Sequence, residues 1–183
     1  AMIYNDVKDS SYVELEAAQQ IDYYFMKGHN MDAVVANYRQ LTGACPMFPL
    51  SLFGYTQSKE RYCSSEELES IVREYRQRQI PLDMIVQDWS YWPSGHWGEM
   101  KMDSKFYPDK KALADSIHAM HCKLMISIWP NAQYCPQNED FKKRGWILPG
   151  GSVYDAFNPQ ARSLYWDYAN KEFFQNGFDA WWC

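Results

Sequence analysis

The sequence lacks the patterns that mark several large classes of protein. It has no apolar stretch near the roughly 20 residues of a membrane helix. Its opening residues, AMIYNDVKDS, have neither the basic start nor the apolar run of a secretory signal. A removed signal would leave no trace, so the compartment stays open between periplasmic or secreted and cytoplasmic. The net charge of −5 argues against nucleic acid as a partner.

Cysteine and histidine are scarce, which bears on metal sites and disulfides. The five cysteines are scattered and form no C-x-x-C pair, so neither a disulfide framework nor a zinc site is predicted. His118 and His121 are three residues apart on a predicted helix, but no neighbouring Cys or carboxylate completes a metal site. We interpret both as helix-surface residues.

Aromatic residues, by contrast, are abundant. They make up 17% of the chain and include 8 Trp and 14 Tyr. One interpretation is a large aromatic core. The other is a surface that stacks flat, partly apolar ligands such as sugar rings or bases. Composition alone leaves both open.

Apolar runs and helix signals alternate along the chain. Asn30 and Gly43 delimit a first helix, and Pro46 and Pro49 keep the following linker out of helix. Four strands are then predicted at 50–55, 81–88, 123–130 and 177–183, with a long loop between the third strand and the last helix. The helices between them begin at the capping box Ser64–Glu67, near Asp109, and at Asn158-Pro159.

The strands are continuous apolar runs, which is typical of parallel strands covered on both faces. The first strand–helix turn, GYTQSKERYCSS, has no G-x-G-x-x-G, so a dinucleotide-binding oxidoreductase has no support. A (β/α)8 barrel needs eight strands and about 250 residues. The chain ends on GFDAWWC, which reads as an interior strand of a larger sheet. We therefore predict an α/β fold: a TIM barrel of which this chain holds the first half, about four βα units.

In such barrels the active site lies at the carboxyl ends of the strands. Asp88 stands there, directly after MIV and before WSYW. It is either a structural cap for loop amides or a ligand for hydroxyl groups, and the aromatic residues around it favour a sugar. Asp83 and Asp179 lie toward the opposite ends of their strands and are expected to be structural. The remaining charged candidates are interpreted as solvated loop or cap residues: Glu60, Arg61, Asp103 and Asp109.

Several blocks together resemble glycoside hydrolase family 31, which holds α-glucosidases, α-xylosidases and related transglycosylases. The blocks are YRQLTG, PMFPLSLFGYTQSKERY, IPLDMIVQDWSYW, DSKFYPDKKALADSIHAMHCKLMISIWP and YDAFNPQARSLYWDYANKEFFQNGFDAWWC. They run from about Ile21 to Cys183 in family order. The resemblance implies a catalytic (β/α)8 barrel preceded by a β-sandwich domain. It assigns 1–28 to the end of that sandwich and the segment leading out of it, 29–49 to a connecting helix and linker, and 50–183 to the first half of the barrel.

The resemblance also implies a retaining mechanism with two Asp residues, one a nucleophile and one an acid/base. The family's nucleophile follows a W-x pair that matches Trp182 and Cys183, so it is expected immediately after Cys183, with the acid/base further downstream. The chain then carries no catalytic carboxylate. It supplies substrate-binding residues, which are Asp88, Trp89, Trp129 and Trp182. The family uses no metal or organic cofactor, and none is expected.

One departure from the family pattern bears on specificity. Many α-glucosidases have D-I-D-Y-M where this chain has DWSYW. Trp89 replaces the Ile and would crowd a C6 hydroxymethyl group, which a pentose lacks, so α-xylosidase activity is predicted. α-Glucosidase or transglucosylase activity and a non-catalytic carbohydrate-binding module remain the alternatives. The expected partner is an oligosaccharide or polysaccharide with terminal α-xylosyl or α-glucosyl residues. The two open edges of a half barrel predict that the isolated chain is poorly soluble, self-associates through those edges into a homo-oligomer, or needs the remaining chain.

Overall fold

The computed structural model of the chain describes residues 2–7, 10–15 and 18–183. These residues contain six strands and five α-helices. The chain divides into two compact units, residues 1–47 and residues 48–183. Of the helices described, none combines the length and the apolar character that crossing a membrane requires.

The first unit begins with a hairpin. Strand β1 (Met2–Val7) pairs antiparallel with β2 (Ser10–Leu15). Helix α1 (Met31–Thr42) follows, and Asn30 Oδ1 accepts from the Ala33 amide at 2.9 Å, so the predicted N-cap is confirmed. Assignment of 1–28 to the end of a β-sandwich stays a prediction. Residues 1, 8, 9, 16 and 17 of that segment lie outside the described residues.

The second unit is built on a parallel sheet, as predicted. Its described strands follow chain order and all run parallel. The strands are β3 (Thr56–Gln57), β4 (Met84–Gln87), β5 (Lys123–Ser127) and β6 (Ala180–Trp182). The helices are α2 (Ser65–Gln77), α3 (Lys110–Ala119), α4 (Pro136–Lys143) and α5 (Pro159–Glu172). Parallel strands in chain order, each pair joined through helices, agree with the predicted half of a (β/α)8 barrel.

Alternate residues of each strand face opposite sides of the sheet. On the helix side, Ile85, Leu124 and Ile126 join one apolar core with buried residues of α2 and α3. Trp181 packs against the same core. Trp182, the next residue, therefore faces the other side, which is the interior side of a barrel. Trp181 and Trp182 thus lie on opposite sides of the sheet.

Two sequence predictions about the sheet and its loops are wrong. The run 50–55 is not a strand: residues Leu50–Phe53 form a 3-10 turn after Pro49, and pairing begins only at Thr56, opposite Met84. The loop after β5 is not all loop, because it contains α4. That helix has Pro136 in its first turn. The helix starts at Ser64 and Asn158 are confirmed by side-chain caps, and Asp109 caps α3 through a 2.9 Å bond from the Ala112 amide.

Asp179 joins neighbouring elements at the amino ends of the strands. Its carboxylate accepts from the Leu124 amide at 2.9 Å, from Lys123 Nζ at 2.8 Å and contacts His118 Nε2 at 2.7 Å. Burial opposes its ionisation, but these bonds hold the pKa of Asp179 below its usual value. His121 lies after the end of α3, with φ of 54°, so it is not a helix residue as predicted.

Candidate functional site

The predicted site residues collect at the carboxyl ends of the strands. Gln87 of β4 is level with Ile126 of β5, so Asp88, the next residue, is level with Ser127. Ser127 is in turn level with Trp182 of β6. Asp88, Ser127 and Trp182 therefore form one row across the sheet, on the side away from the helix-side core.

One of the two oxygens of the Asp88 carboxylate is hydrogen-bonded within its own loop. Its Oδ1 accepts from the Trp89 amide at 2.8 Å, and its backbone carbonyl accepts from Gln87 Nε2 at 3.1 Å. Within residues 18–183, no protein donor hydrogen-bonds to the second carboxylate oxygen. An ionised carboxylate accepts only. Asp88 is partly exposed, so this oxygen can receive hydroxyl donors from a ligand.

Beside Asp88 lie four tryptophans in mutual contact, which we call the tryptophan cluster: Trp89, Trp92, Trp97 and Trp129. The centroid distances between them range from 5.2 Å for Trp97–Trp129 to 6.5 Å for Trp89–Trp129. The planes of Trp89 and Trp129 are 11° apart, so these two rings are parallel. Trp97 keeps 38% of its surface exposed. Aromatic faces next to a carboxylate with one unbonded oxygen suit a sugar, which offers C–H groups on its face and hydroxyls at its edge.

Two loops carry the cluster, and tyrosine hydroxyls tie one of them to the sheet and the other to α5. The loop after β4 is tied down by Tyr91, whose hydroxyl donates to the Ser127 carbonyl at 2.9 Å. The segment after β5 is tied by Tyr165 of α5, whose hydroxyl donates to the Trp129 carbonyl at 3.0 Å. Burial raises the pKa of both phenols, so they stay neutral donors. The loop of Trp89 is thus fixed to β5, and the segment of Trp129 is fixed to α5.

The two loops also contact each other directly. The Gln133 amide donates to the Trp97 carbonyl at 2.8 Å. Gly98 lies so close to the other loop that a Cβ there would meet the Asn131 carbonyl oxygen at 2.1 Å. Its φ of +69° is in the left-handed region, which also favours glycine. A glycine at this position is what lets the two loops meet.

Arg61 departs from its prediction as a solvated loop residue. It is half-buried, and its guanidinium carbon lies 5.1 Å from the centroid of a Trp89 ring. This is a cation–π distance. The loop after β3 therefore reaches the site that the loops after β4 and β5 build.

The structure thus brings Asp88, Trp89 and Trp129 together. Trp182 lies on the same side of the sheet, 45% exposed, but its ring contacts no ring of the cluster. Trp92 and Trp97 were missed by the sequence analysis. Their signal was the concentration of aromatic residues in the loop after β4. Among the described residues, no group of three or more His, Cys, Asp or Glu side chains is arranged to hold a metal ion.

Comparison with known proteins gives a consistent result. Residues 45–183 match the glycosyl hydrolases family 31 TIM-barrel domain. The chain is 42% identical over 171 residues to an α-xylosidase of Saccharolobus solfataricus, a match that covers 93% of this chain and 23% of that protein. The crystal structure of the GH31 α-xylosidase of Xanthomonas citri superposes with a TM-score of 0.75 at 39% identity, covering 82% of this chain and 18% of that one.

A third match is a GH31 α-xylosidase from a soil metagenome, solved in complex with xylose. It superposes with a TM-score of 0.71 at 32% identity and covers 77% of this chain and 23% of that one. The chain therefore spans about a quarter or less of the length of these relatives. The family match includes all four strands of the described parallel sheet, and the carboxyl ends of those strands bear the candidate site. The chain belongs to glycosyl hydrolase family 31 and forms part of its TIM-barrel domain.

Proposed function

We propose that the protein carrying this chain is a retaining α-glycosidase that removes terminal α-xylosyl residues from an oligosaccharide or polysaccharide. The observation that carries the proposal is the half-free Asp88 carboxylate beside the tryptophan cluster. The similarity to proteins named α-xylosidases supports the choice of sugar.

In this proposal Asp88 accepts hydrogen bonds from hydroxyls of the sugar in the −1 subsite. Trp129 and Trp182 form apolar walls against the sugar's C–H faces, and Trp89 closes the side next to Asp88. Because the Trp89 amide already occupies one Asp88 oxygen, the carboxylate is held in one orientation before substrate arrives. Such preorganisation lowers the entropy lost on binding.

The nucleophile is proposed to follow Cys183 directly. Trp182 faces the interior side of the sheet, and a residue two positions later shares that side. An Asp there would face the same side as Asp88. A retaining mechanism then needs an acid/base carboxyl from a later strand, roughly 5–5.5 Å from the nucleophile. The nucleophile attacks the anomeric carbon, while the acid protonates the leaving oxygen and later activates water.

Trp89 is proposed to set the sugar preference. Its indole stands where a smaller side chain would leave room for a hydroxymethyl group at C5 of the sugar ring. A pentose has only hydrogen there and fits. Discrimination by one such group is worth about 1–3 kcal/mol, or roughly 10- to 200-fold in kcat/KM.

The test is hydrolysis of p-nitrophenyl α-xyloside and α-glucoside by the intact protein that carries this segment. We expect the xyloside to be preferred, and Trp89→Ile to reduce that preference. Trp146→Ile is the matched control, because Trp146 lies outside the tryptophan cluster. Hydrolysis of neither substrate, with retained sugar binding, would instead support a carbohydrate-binding module. A preferred glucoside would support the α-glucosidase alternative.

A further inference from the structure

The contacts of Arg61 are unusual for a half-buried arginine. A guanidinium has five N–H donors, which normally find acceptors when water is partly excluded. Within the described residues, Arg61 makes no hydrogen bond and no ion pair. Its guanidinium carbon lies 5.1 Å from the centroid of a Trp89 ring. The Arg61 guanidinium therefore interacts with the Trp89 ring and, among the described residues, not with a carboxylate.

The backbone next to Arg61 is firmly fixed. The carbonyl of Tyr62 accepts from Gln87 Nε2 at 3.1 Å and from the Tyr107 hydroxyl at 2.7 Å. The Tyr62 side chain is itself buried in the apolar core. Arg61 consequently extends from a rigid point on the loop, which keeps its side chain within reach of Trp89.

Trp89 itself has few polar restraints. Its amide is bound by Asp88, but within the described residues its indole N–H donates to nothing. The ring is otherwise in contact with the other members of the tryptophan cluster. Ring–ring contacts of this kind tolerate sliding, because several offset and tilted arrangements have similar energies. Ser90, with φ of 62°, follows directly and turns the chain. A charged group over the ring thus adds a restraint that packing does not supply.

We infer that Arg61 is a positioning residue for Trp89, holding the indole against the −1 subsite so that a hydroxymethyl group is excluded. The inference rests on the proposed function. Arg61 acts through the ring and not on the sugar. Without the cation, the indole samples positions that admit a hexose, and the preference for the pentose falls. The charge is essential, since a neutral side chain of similar length loses the attraction to the ring face.

The test compares Arg61→Met and Arg61→Lys in the intact protein, with kcat/KM measured for p-nitrophenyl α-xyloside and α-glucoside. We expect Arg61→Met to lower the xyloside-to-glucoside ratio about two- to fivefold, the range of a partly exposed cation–π pair. Arg61→Lys keeps the charge and should retain most of the ratio. Arg144→Met is the matched control. It removes an arginine at 5.2 Å from the Trp146 ring, outside the tryptophan cluster, and should leave the ratio unchanged.

A double variant separates positioning from general damage. If Arg61 acts through Trp89, adding Arg61→Met to Trp89→Ile should not change the ratio further. An equal additional fall in that background would overturn the inference, as would an unchanged ratio in Arg61→Met or an equal loss in Arg61→Lys. A wild-type protein that hydrolyses neither substrate is a different failure, that of the proposed function. The contact is then tested by acrylamide quenching of tryptophan fluorescence, which Arg61→Met should increase relative to Arg144→Met.

Discussion

The close contact between Gly98 and Asn131 makes it possible to test how far activity depends on the packing of the two loops that carry the tryptophan cluster. A Cβ at Gly98 would stand 2.1 Å from the Asn131 carbonyl oxygen, well inside contact distance, and that oxygen belongs to the backbone, so it cannot move aside by a side-chain rotation. Gly98→Ala must therefore push the loop after β4 away from the loop after β5. It also incurs left-handed strain, which costs about 1–2 kcal/mol for a residue with a Cβ. Gly95 offers the control, because its φ of +84° is similar but nothing lies within 4 Å of its Cβ position.

The expected difference between the two variants follows from that geometry. Gly95→Ala carries the strain alone and should leave kcat/KM on the xyloside within about twofold of wild type. Gly98→Ala adds a steric cost of about 1–3 kcal/mol and separates Trp97 from Trp129. A misplacement of about 1 Å can reduce a rate on the order of 100-fold. The assay is steady-state kinetics on the intact protein, with thermal unfolding measured in parallel. Equal kinetics for the two variants would refute the idea that this loop contact sets the site.

Two further predictions concern the two ends of the sheet. Asp88→Asn should lower kcat/KM roughly 10- to 150-fold, since a hydrogen bond to a charged group is worth about 1.5–3 kcal/mol. Its thermal unfolding should barely change, because the Asn oxygen can still accept from the Trp89 amide; unchanged kinetics would argue for a purely structural Asp88. Asp179→Asn should destabilise the fold at neutral pH. The Asp179 pKa is lowered on folding, so its contribution is present above the usual value near 3.9 and is lost as pH falls through the lowered one. Thermal unfolding should therefore show a gap from wild type at pH 7 that narrows at pH 3, and a gap of constant size would contradict this.

Sequence patterns predicted the helices best where a local cap fixes the start. Ser64, Asp109 and Asn158 each bind a backbone amide within three residues, which is a short-range interaction that sequence spacing reveals. Helix α4 was missed for the opposite reason. Its buried residues include Gln137 and Asn138, which are satisfied by bonds to the backbone of Met100 and Gly151. Because these buried positions hold polar side-chain amides, the sequence of α4 lacks the apolar periodicity that would predict a helix.

The first strand was misplaced because pairing decides strands, and pairing is not local. The apolar run 50–53 turns tightly after Pro49, while the polar Thr56 and Gln57 join the sheet. The site residues likewise differ in whether the local sequence identifies them. Asp88 is marked by its place directly after a buried strand. No local sequence pattern identifies Arg61, because its contact with Trp89 joins two loops that only the fold brings together.

The tryptophan cluster has an optical consequence. Indole rings whose centroids lie 5.2–6.5 Å apart have electronic transitions close enough to couple, and the coupling depends on the angles between ring planes. Near-ultraviolet circular dichroism, which reports fixed aromatic packing, should therefore carry a strong signal from these four residues. These rings lie beside Asp88, next to the proposed −1 subsite. The signal should therefore follow the assembly of this site during folding without any added label, and it should change on addition of a sugar that binds there.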